Sequence, residues 1–362
     1  MPDSSDFLSD IDVIQERKKE GITIPLTRDV QARKSSNYLE FVKLVHNALP
    51  DLDYEDIETS CTFLNHKLAA PIAIDCMTGG TSEATKINSR LGQMAQKYGL
   101  AMGLGSQRAG LRSTQLAETY AVARSEAPDA FLIANIGGAQ LSKGLSIDEI
   151  VKIIEMIKAD ALAIHLNPLQ ELVQPEGEPK YKGVLGRIKE IVNAVDAPVI
   201  VKEVGAGISK EVAIDLQAAG VAAINIAGSG GTSWAGVEKL RAESANNIIK
   251  ARIGELFWDW GIPTALSLME VRSVVRIPVI ASGGLRNGLE IGKCLVLGAD
   301  LCGMAFPFLK KASESLDSLF LFAEALIAEL KSTMFLVGAN NLNDLRRARY
   351  IVTGHLKEEI SN

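Results

Sequence analysis

The chain predicts an α/β fold, a TIM-type (β/α)8 barrel with an N-terminal extension and C-terminal helices. Three observations predict it. From residue 71 onward, short apolar runs alternate with amphipathic stretches, the pattern of βα units on a parallel sheet. Eight such runs favour closure into a barrel over an open sheet. The last two end in glycine-bearing turns, Ala281-Ser-Gly-Gly-Leu-Arg286 and Gly303-Met-Ala-Phe-Pro307. Many barrels of this kind close on such a pair of turns, where freed backbone N–H groups and a helix N-terminus hold a phosphate. Taken alone, Ser-Gly-Gly is equally what a surface turn looks like.

The elements follow in order. Residues 1–70 form a polar, charged extension, expected to be part helix and part hairpin and to pack on the barrel of residues 71–362. The strand candidates are Pro71–Asp75, Ala101–Leu104, Phe131–Ile136, Ala161–Leu166, Val199–Val204, Ala222–Ala227, Pro278–Ala281 and Leu301–Ala305. They read as continuous apolar runs, as strands covered on both faces should. Helix-period segments such as Glu83–Tyr98, Glu118–Ser125 and Lys210–Ala219 lie between them. Two insertions break the rhythm: Pro168–Tyr181 after the fourth strand, and Gly228–Pro263 after the sixth, which holds all three tryptophans. Long βα loops lie on the catalytic face of such barrels. The periodic segment Leu316–Leu330 is expected to close the barrel from outside.

Composition bounds the function. At 362 residues, 47% hydrophobic and 23% charged, the chain is an ordinary soluble protein. A net charge of −6 argues against a broad nucleic-acid surface. The acidic N-terminus lacks the basic-then-apolar order of a signal peptide, and no apolar run reaches transmembrane length. A cytoplasmic chain with neither nucleic-acid nor membrane partner is expected. Cys76, Cys294 and Cys302 lie in apolar runs and are expected to pack as small buried hydrophobes; Cys61 completes the set, which has no metal-ligand spacing.

Polar residues at the C-terminal ends of barrel strands point toward the site. Here they are Met77-Thr-Gly-Gly80, Gly105-Ser-Gln-Arg108, Asn135-Ile-Gly137, His165-Leu-Asn167 with Gln170 and Glu171, Lys202-Glu203, Gly228-Ser-Gly-Gly-Thr232 and the Ser282–Arg286 turn. Each alone is readable as a cap or turn; seven together favour a pocket for several ligands. Lys202 starts from an apolar wall and needs an anionic partner. Glu203 is available, but adjacent strand residues face opposite ways, so a ligand-borne charge is preferred. Thr78 and Asn135 suit the edge of a heteroaromatic ring, which with the phosphate clamp suggests a cofactor such as FMN. Arg108, His165 and the Arg17-Lys18 pair form a second positive cluster, implying a second anion. Glu171 beside it reads either as a solvated loop carboxylate or as an oxygen ligand for Mg²⁺ on that anion.

At these positions the chain resembles the type 2 isopentenyl diphosphate isomerases. The likeness runs from Arg17 to about residue 345, through Arg17-Lys18, Leu44-Val-His46, Met77-Thr-Gly-Gly80, Gly105-Ser-Gln-Arg108 and His165-Leu-Asn-Pro-Leu-Gln-Glu171. It continues through Gln174-Pro-Glu-Gly177, Val201-Lys-Glu203, Gly230-Gly-Thr-Ser-Trp234 and Ser282-Gly-Gly-Leu-Arg286. The resemblance implies an FMN-dependent TIM barrel that interconverts isopentenyl and dimethylallyl diphosphate with Mg²⁺ and NADPH as reductant, and no net redox change. It places FMN on Met77, Thr78, Ser106, Asn135, Lys202 and Thr232, and its phosphate on Gly284, Leu285, Arg286, Ala305 and Phe306. It places the substrate diphosphate on Arg17, Lys18, Ser106, Gln107, Arg108, His165 and Asn167, with Gln170 beside the reacting carbons and Glu171 on Mg²⁺. Gln170, Lys202 and His165 are then the catalytic set. Reduced flavin is the acid/base candidate, since no other carboxylate stands out near the site. A homotetramer or homo-octamer is implied as well.

One departure stands out. The family usually reads Arg-Lys-x-x-His where this chain has Arg17-Lys-Lys-Glu-Gly21. The missing His removes a phosphate donor, and Lys19 is the expected substitute. Two rival readings remain. Another FMN barrel, such as an α-hydroxy-acid oxidase, needs a His base, and of His46, His66, His165 and His355 only His165 falls at a strand end. An FMN-binding paralogue with impaired catalysis has Gly21 as its only support.

Overall fold

The computed structural model describes residues 4–360. Eight parallel strands close a barrel: β1 Ile72–Ile74, β2 Ala101–Gly103, β3 Leu132–Gly137, β4 Ala161–His165, β5 Val199–Lys202, β6 Ala223–Asn225, β7 Val279–Ser282 and β8 Leu301–Met304. Around the barrel they run β7-β8-β1-β2-β3-β4-β5-β6. Each overlaps its predicted run with ends that differ by no more than two residues, and apart from the terminal His165 every strand residue is buried. Helices cover the outer face, as double burial of the strands requires.

The strand period of two sorts the barrel interior into layers. In the lower layer Ala73, Ile133, Ala163, Ile200, Ala223, Ile280 and Leu301 pack on one another and on Phe63 and Leu68. The last two come from the hairpin expected in the extension, Cys61–Phe63 against His66–Leu68. It plugs the N-terminal mouth, with Phe63 edge-on to Phe131 at 5.9 Å. Burying the Phe63 ring stabilises this plug by about 1.5–3 kcal/mol. Two residues further along each strand, the next inward positions are Asp75, Asn135, His165, Lys202, Asn225, Ser282 and Gly303. The register sets His165 beside Lys202 and Lys202 beside Asn225. The barrel is thus apolar below and polar above, and the polar layer is the floor of the site.

Helix α1 (Ser4–Thr27) packs at the opposite, C-terminal mouth. The insertion after β4 forms α2 (Pro168–Val173), and the one after β6 forms α3 (Trp234–Ser244) and α4 (Ile248–Leu256). After β8 come α5 (Phe306–Glu314) and α6 (Leu316–Val337), the latter a longer form of the predicted periodic helix. Unforeseen in the sequence, Val42–Leu44 pairs antiparallel with Tyr350–Val352, tying the two ends of the chain together. Cys294 and Cys302 are buried as expected; Cys76 is only partly buried and faces the cleft. No helix among the described residues is long and apolar enough to cross a membrane.

Candidate functional site

A single deep cleft occupies the C-terminal mouth, enclosing about 1640 Å³ between protein atoms including its opening.

At one end lies the glycine clamp. Gly283 and Gly284 have φ of +103° and +76°, left-handed values that disfavour a side chain. The turns after β6 and β7 interlock so closely that a Cβ on Gly284 would meet the Gly230 carbonyl oxygen at 2.7 Å, and one on Gly231 the Gly284 nitrogen at 2.6 Å. Side chains on these glycines would not fit, which leaves backbone N–H groups and the N-terminus of α5 to face the cleft there. Arg286 closes this end. Its guanidinium donates to Gln31 Oε1 at 2.6 Å and forms no ion pair among the described residues. Burial lowers its pKa, the mark of a cation short of a counter-ion. Gln31 also donates to Thr232 at 3.2 Å, and Asn37 Nδ2 donates to the Gly284 carbonyl at 3.0 Å. The extension braces the clamp through these two residues, neither of which the sequence singled out.

The floor is a hydrogen-bonded polar ring. Lys202 Nζ lies 3.5 Å from Asp75 Oδ1, with side chains only 5% and 10% exposed, and donates to the Glu203 carbonyl at 2.8 Å. Asp75 also accepts from Asn225 Nδ2 at 3.3 Å, and Asn225 Oδ1 accepts from Ser282 Oγ at 2.7 Å. The anionic partner of Lys202 is therefore Asp75 within the protein, where the sequence argument preferred a ligand charge. The period-two pattern carries that signal in the sequence, since Asp75 lies two residues beyond the inward-facing Ala73. Glu203 does face the other way: its carboxylate accepts from the Val204, Gly205 and Ala206 N–H groups at 2.6–2.7 Å. Burial still pushes its pKa up to about 7 against those bonds.

Next to Lys202, His165 Nδ1 meets Asn135 Oδ1 at 2.9 Å. Asn135 Nδ2 is committed to the Leu104 carbonyl at 3.0 Å, so its oxygen faces the ring and the network assigns the His165 proton to Nδ1. Burial, then Lys202, Arg17 and Lys18, lower the His165 pKa to about 3. The shift favours the neutral imidazole.

At the opposite end from the clamp, α1 supplies Arg17 and Lys18 and the turn after β2 supplies Ser106 and Arg108. Lys18 Nζ donates to the Ser106 carbonyl at 2.9 Å, which Tyr120 also holds at 2.8 Å. Burial, with the nearby Arg17 and Arg108 charges, lowers the Lys18 pKa to about 7. Like charges gathered in a low-dielectric cleft attract a polyanion.

The wall between the two ends is built by α2 and α3. Asn167 Nδ2 donates to Gln170 Oε1 at 3.0 Å, and Gln170 Nε2 donates to Glu238 Oε1 at 2.9 Å, so both ends of the Gln170 amide are fixed. Tyr181 OH donates to Asn167 Oδ1 at 2.8 Å. Glu171 Oε2 accepts from the Glu178 N–H at 3.0 Å. Glu238 is 2% exposed, and burial raises its pKa, with Arg241 opposing. It is a second carboxylate in the cleft wall, which the sequence argument did not find because α3 lies in an insertion with no strand-end position.

The cleft brings together every predicted site residue but one. Met77, Thr78, Ser106, Asn135, Lys202, Thr232, Gly284, Leu285, Arg286, Ala305 and Phe306 line it, as do Arg17, Lys18, Arg108, His165, Asn167, Gln170 and Glu171. Gln107 is the exception. Its side chain is fully buried away from the cleft, donating to the Ile153 carbonyl at 2.9 Å and accepting from the Asn135 N–H at 3.1 Å. It clips the β2 turn to β3 and has no donor left for a ligand. Lys19 is exposed and outside the cleft, so it does not stand in for a residue at position 21. A Cβ on Gly21 would meet only the Trp234 ring, at 3.9 Å.

Comparison with known proteins decides the family. An isopentenyl-diphosphate delta-isomerase of Nostoc sp. is 48% identical over 341 residues, 94% of this chain and 96% of that protein. Another, from Methanothermobacter thermautotrophicus, is 46% identical over 96% of this chain and 95% of its own length. The chain belongs to the isopentenyl-diphosphate delta-isomerase family. Residues 167–352 also match the FMN-dependent dehydrogenase family, which supports FMN as the cofactor. Solved structures share the fold: mandelate oxidase with (S)-2-phenylpropionate has a TM-score of 0.64 at 16% identity, covering 95% of this chain and 98% of that one.

The residues of this isomerase-family cleft fit the flavin. Thr78 Oγ1 is buried and without a hydrogen-bond partner in the protein, at the edge of the polar floor. The Gly231–Gly284 approach leaves a cradle that any Cβ would fill. A ring with polar edges and a phosphate tail answers both.

Proposed function

We propose that the chain interconverts isopentenyl diphosphate and dimethylallyl diphosphate, using reduced FMN, Mg²⁺ and NADPH as the source of reducing equivalents. The observation that carries this reading is the pair of separate anion sites in one cleft, the glycine clamp with Arg286 and the Arg17–Lys18–Arg108 cluster, with Lys202, His165 and Gln170 between them. Reduced FMN would supply a nitrogen able to give and take a proton at the allylic carbons. Thr78, Asn135 and Lys202 would hold its ring, and Gly284, Leu285, Arg286, Ala305 and Phe306 its phosphate, with Met77, Ser106 and Thr232 completing the contacts.

The remaining steps belong to the chain's own residues. Arg17, Lys18 and Arg108 grip the diphosphate and neutralise its charge, with Asn167 and Ser106 alongside. His165 is held by Asn135 in the neutral tautomer and so orients a polar neighbour without competing for a proton. Gln170 presents a fixed amide to the substrate carbons. Glu238 accepts from Gln170 on one oxygen and pairs with Arg241 on the other, and so fixes the orientation of that amide. Glu171 would hold Mg²⁺, which would neutralise the diphosphate charge; no group of three acidic, His or Cys side chains with metal-holding geometry occurs among the described residues. The cytoplasmic setting and the homotetramer or homo-octamer belong to the same proposal, supported for the assembly by the exposed Ile248, Ile249 and Leu256.

An α-hydroxy-acid oxidase reading is disfavoured by His165. Burial, with Lys202, Arg17 and Lys18 nearby, lowers its pKa and weakens it as a base. The test is the colour of the purified protein, then an isomerase assay with and without dithionite. The proposal expects a yellow protein active only after reduction. A colourless protein that takes up no FMN contradicts it, as does full activity without reduction.

A further inference from the structure

Arg241, on α3, is the most heavily engaged side chain bordering the cleft. It is 9% exposed, and each guanidinium nitrogen meets a carboxylate from a different segment. Nε reaches Glu20 of α1 at 2.6 Å, Nη1 reaches Glu238 of its own helix at 2.7 Å, and Nη2 reaches Glu176, beyond α2, at 2.9 Å. One cation thus faces three anions, more than pairing the arginine itself needs. The planar fork can satisfy three directions at once, which a lysine ammonium on one stem cannot.

Two of these contacts lead into the site. Glu20 lies one helical turn from Arg17, so it fixes the face of α1 that carries the diphosphate-facing cations. The second oxygen of Glu238 accepts from Gln170. A continuous set of contacts therefore runs from Glu20 through Arg241 and Glu238 to Gln170 and Asn167. We propose that Arg241 is a positioning residue, a clasp that holds α1 over the cleft and aims the Glu238 carboxylate at Gln170. The proposal rests on the isomerase reading for its kinetic consequences, but not for its effect on anion binding. The charged and polar groups facing Glu238 are Arg241 on its own helix, Glu176 beyond α2, and Gln170 on α2. Lys250 of α4 is tied to the Gln174 and Pro175 carbonyls.

The test uses the full-length, FMN-loaded protein and three variants, Glu20→Gln, Arg241→Gln and Arg241→Lys. Affinity for inorganic pyrophosphate is measured by calorimetry, and kcat and KM for isopentenyl diphosphate are measured across pH. Glu20→Gln is expected to raise both the pyrophosphate Kd and KM fivefold or more while kcat stays within twofold. Arg241→Gln is expected to raise them similarly and to lower kcat at least tenfold. It also moves the acid limb of kcat/KM to higher pH, because Glu238 loses the cation that favours its charged form. Arg241→Lys restores the acid limb but not the pyrophosphate affinity. Adding Glu20→Gln to Arg241→Gln should cost no further affinity. The clasp is overturned if Glu20→Gln leaves Kd and KM unchanged, or if Arg241→Gln lowers thermal stability with the acid limb in place. Should Arg241→Gln fail to fold, Glu20→Gln and Glu176→Gln, which each remove a half-buried partner, decide the question through pyrophosphate affinity. If the wild type does not turn over isopentenyl diphosphate, the functional reading fails, and the pyrophosphate arm still decides the clasp.

Discussion

Replacing Lys18 by Met should abolish most of the proton uptake that accompanies diphosphate binding. In the free protein, burial and the Arg17 and Arg108 charges bring the Lys18 pKa down from 10.5 to about 7. A bound diphosphate reverses the sign of that surrounding field and restores the ordinary value. At pH 8 the free ammonium is only about one-tenth populated and the bound one is full, so binding takes up about 0.9 proton. At pH 6 the same reasoning gives about 0.1 proton. Full restoration corresponds to about 4–5 kcal/mol of coupling, of which solvent at the cleft mouth screens a part. The sign is fixed: a base depressed in the free protein and restored by the ligand makes affinity fall as pH rises above 7, by up to tenfold per unit. Calorimetry of inorganic pyrophosphate binding, in two buffers of different ionisation enthalpy, reads the uptake directly. Pyrophosphate's own titration is common to wild type and Lys18→Met, so the difference belongs to Lys18. Equal uptake by the two proteins at pH 8 would refute the reasoning.

Three further perturbations follow from the same geometry. Gly284→Ala puts a Cβ into the Gly230 carbonyl and forces a left-handed residue, about 1–3 kcal/mol of strain; quenching of FMN fluorescence should show at least a tenfold weaker complex, and unchanged affinity would show that the clamp is not the phosphate site. Lys202→Met leaves Asp75 buried without its cation and should lower the unfolding free energy by about 3–5 kcal/mol in urea, with part of the loss recovered in the double variant carrying Asp75→Asn; no recovery would separate the two residues. Gly21→His enters open space beside Trp234 and adds a donor near the cation cluster. A charge-assisted bond worth about 1.5–3 kcal/mol should tighten pyrophosphate binding tenfold or more, and a weaker complex would mean that the space at position 21 is needed by the ligand.

The barrel was legible because strands buried on both faces leave an apolar run whatever their neighbours are. Ile72–Ile74 or Val199–Lys202 could hardly be read otherwise. The strand-end residues were legible for a related reason: in a barrel the C-terminal end of a strand has one place to point. The same reading failed at Gln107, where the chain leaves β2 in a tight turn that aims one polar side chain into the site and its neighbour into the wall. It also overlooked Asp75, although Ala73, two residues earlier, already marked the inward face. Glu20, Glu238 and Arg241 were not legible at all, and Glu176 only as part of the Gln174–Gly177 motif. On the sequence, Glu238 and Arg241 look like a solvent-exposed helical pair at i, i+3. Only the packing of α1 and α2 against α3 buries them together, and no local pattern encodes that meeting. Gln31 and Asn37 were hidden the same way, in an extension whose role depends on where it lands.

The central claim is that one cleft holds a diphosphate at the Arg17–Lys18–Arg108 end, a flavin phosphate at the Gly284–Arg286 end, and moves a double bond between them. Proton NMR of isopentenyl diphosphate in D₂O, with Mg²⁺ and the FMN-loaded protein before and after reduction, tests it most directly. The account predicts dimethylallyl diphosphate carrying deuterium, formed only with the reduced protein. Unchanged isopentenyl diphosphate, alongside flavin reduction by an α-hydroxy acid, would contradict it.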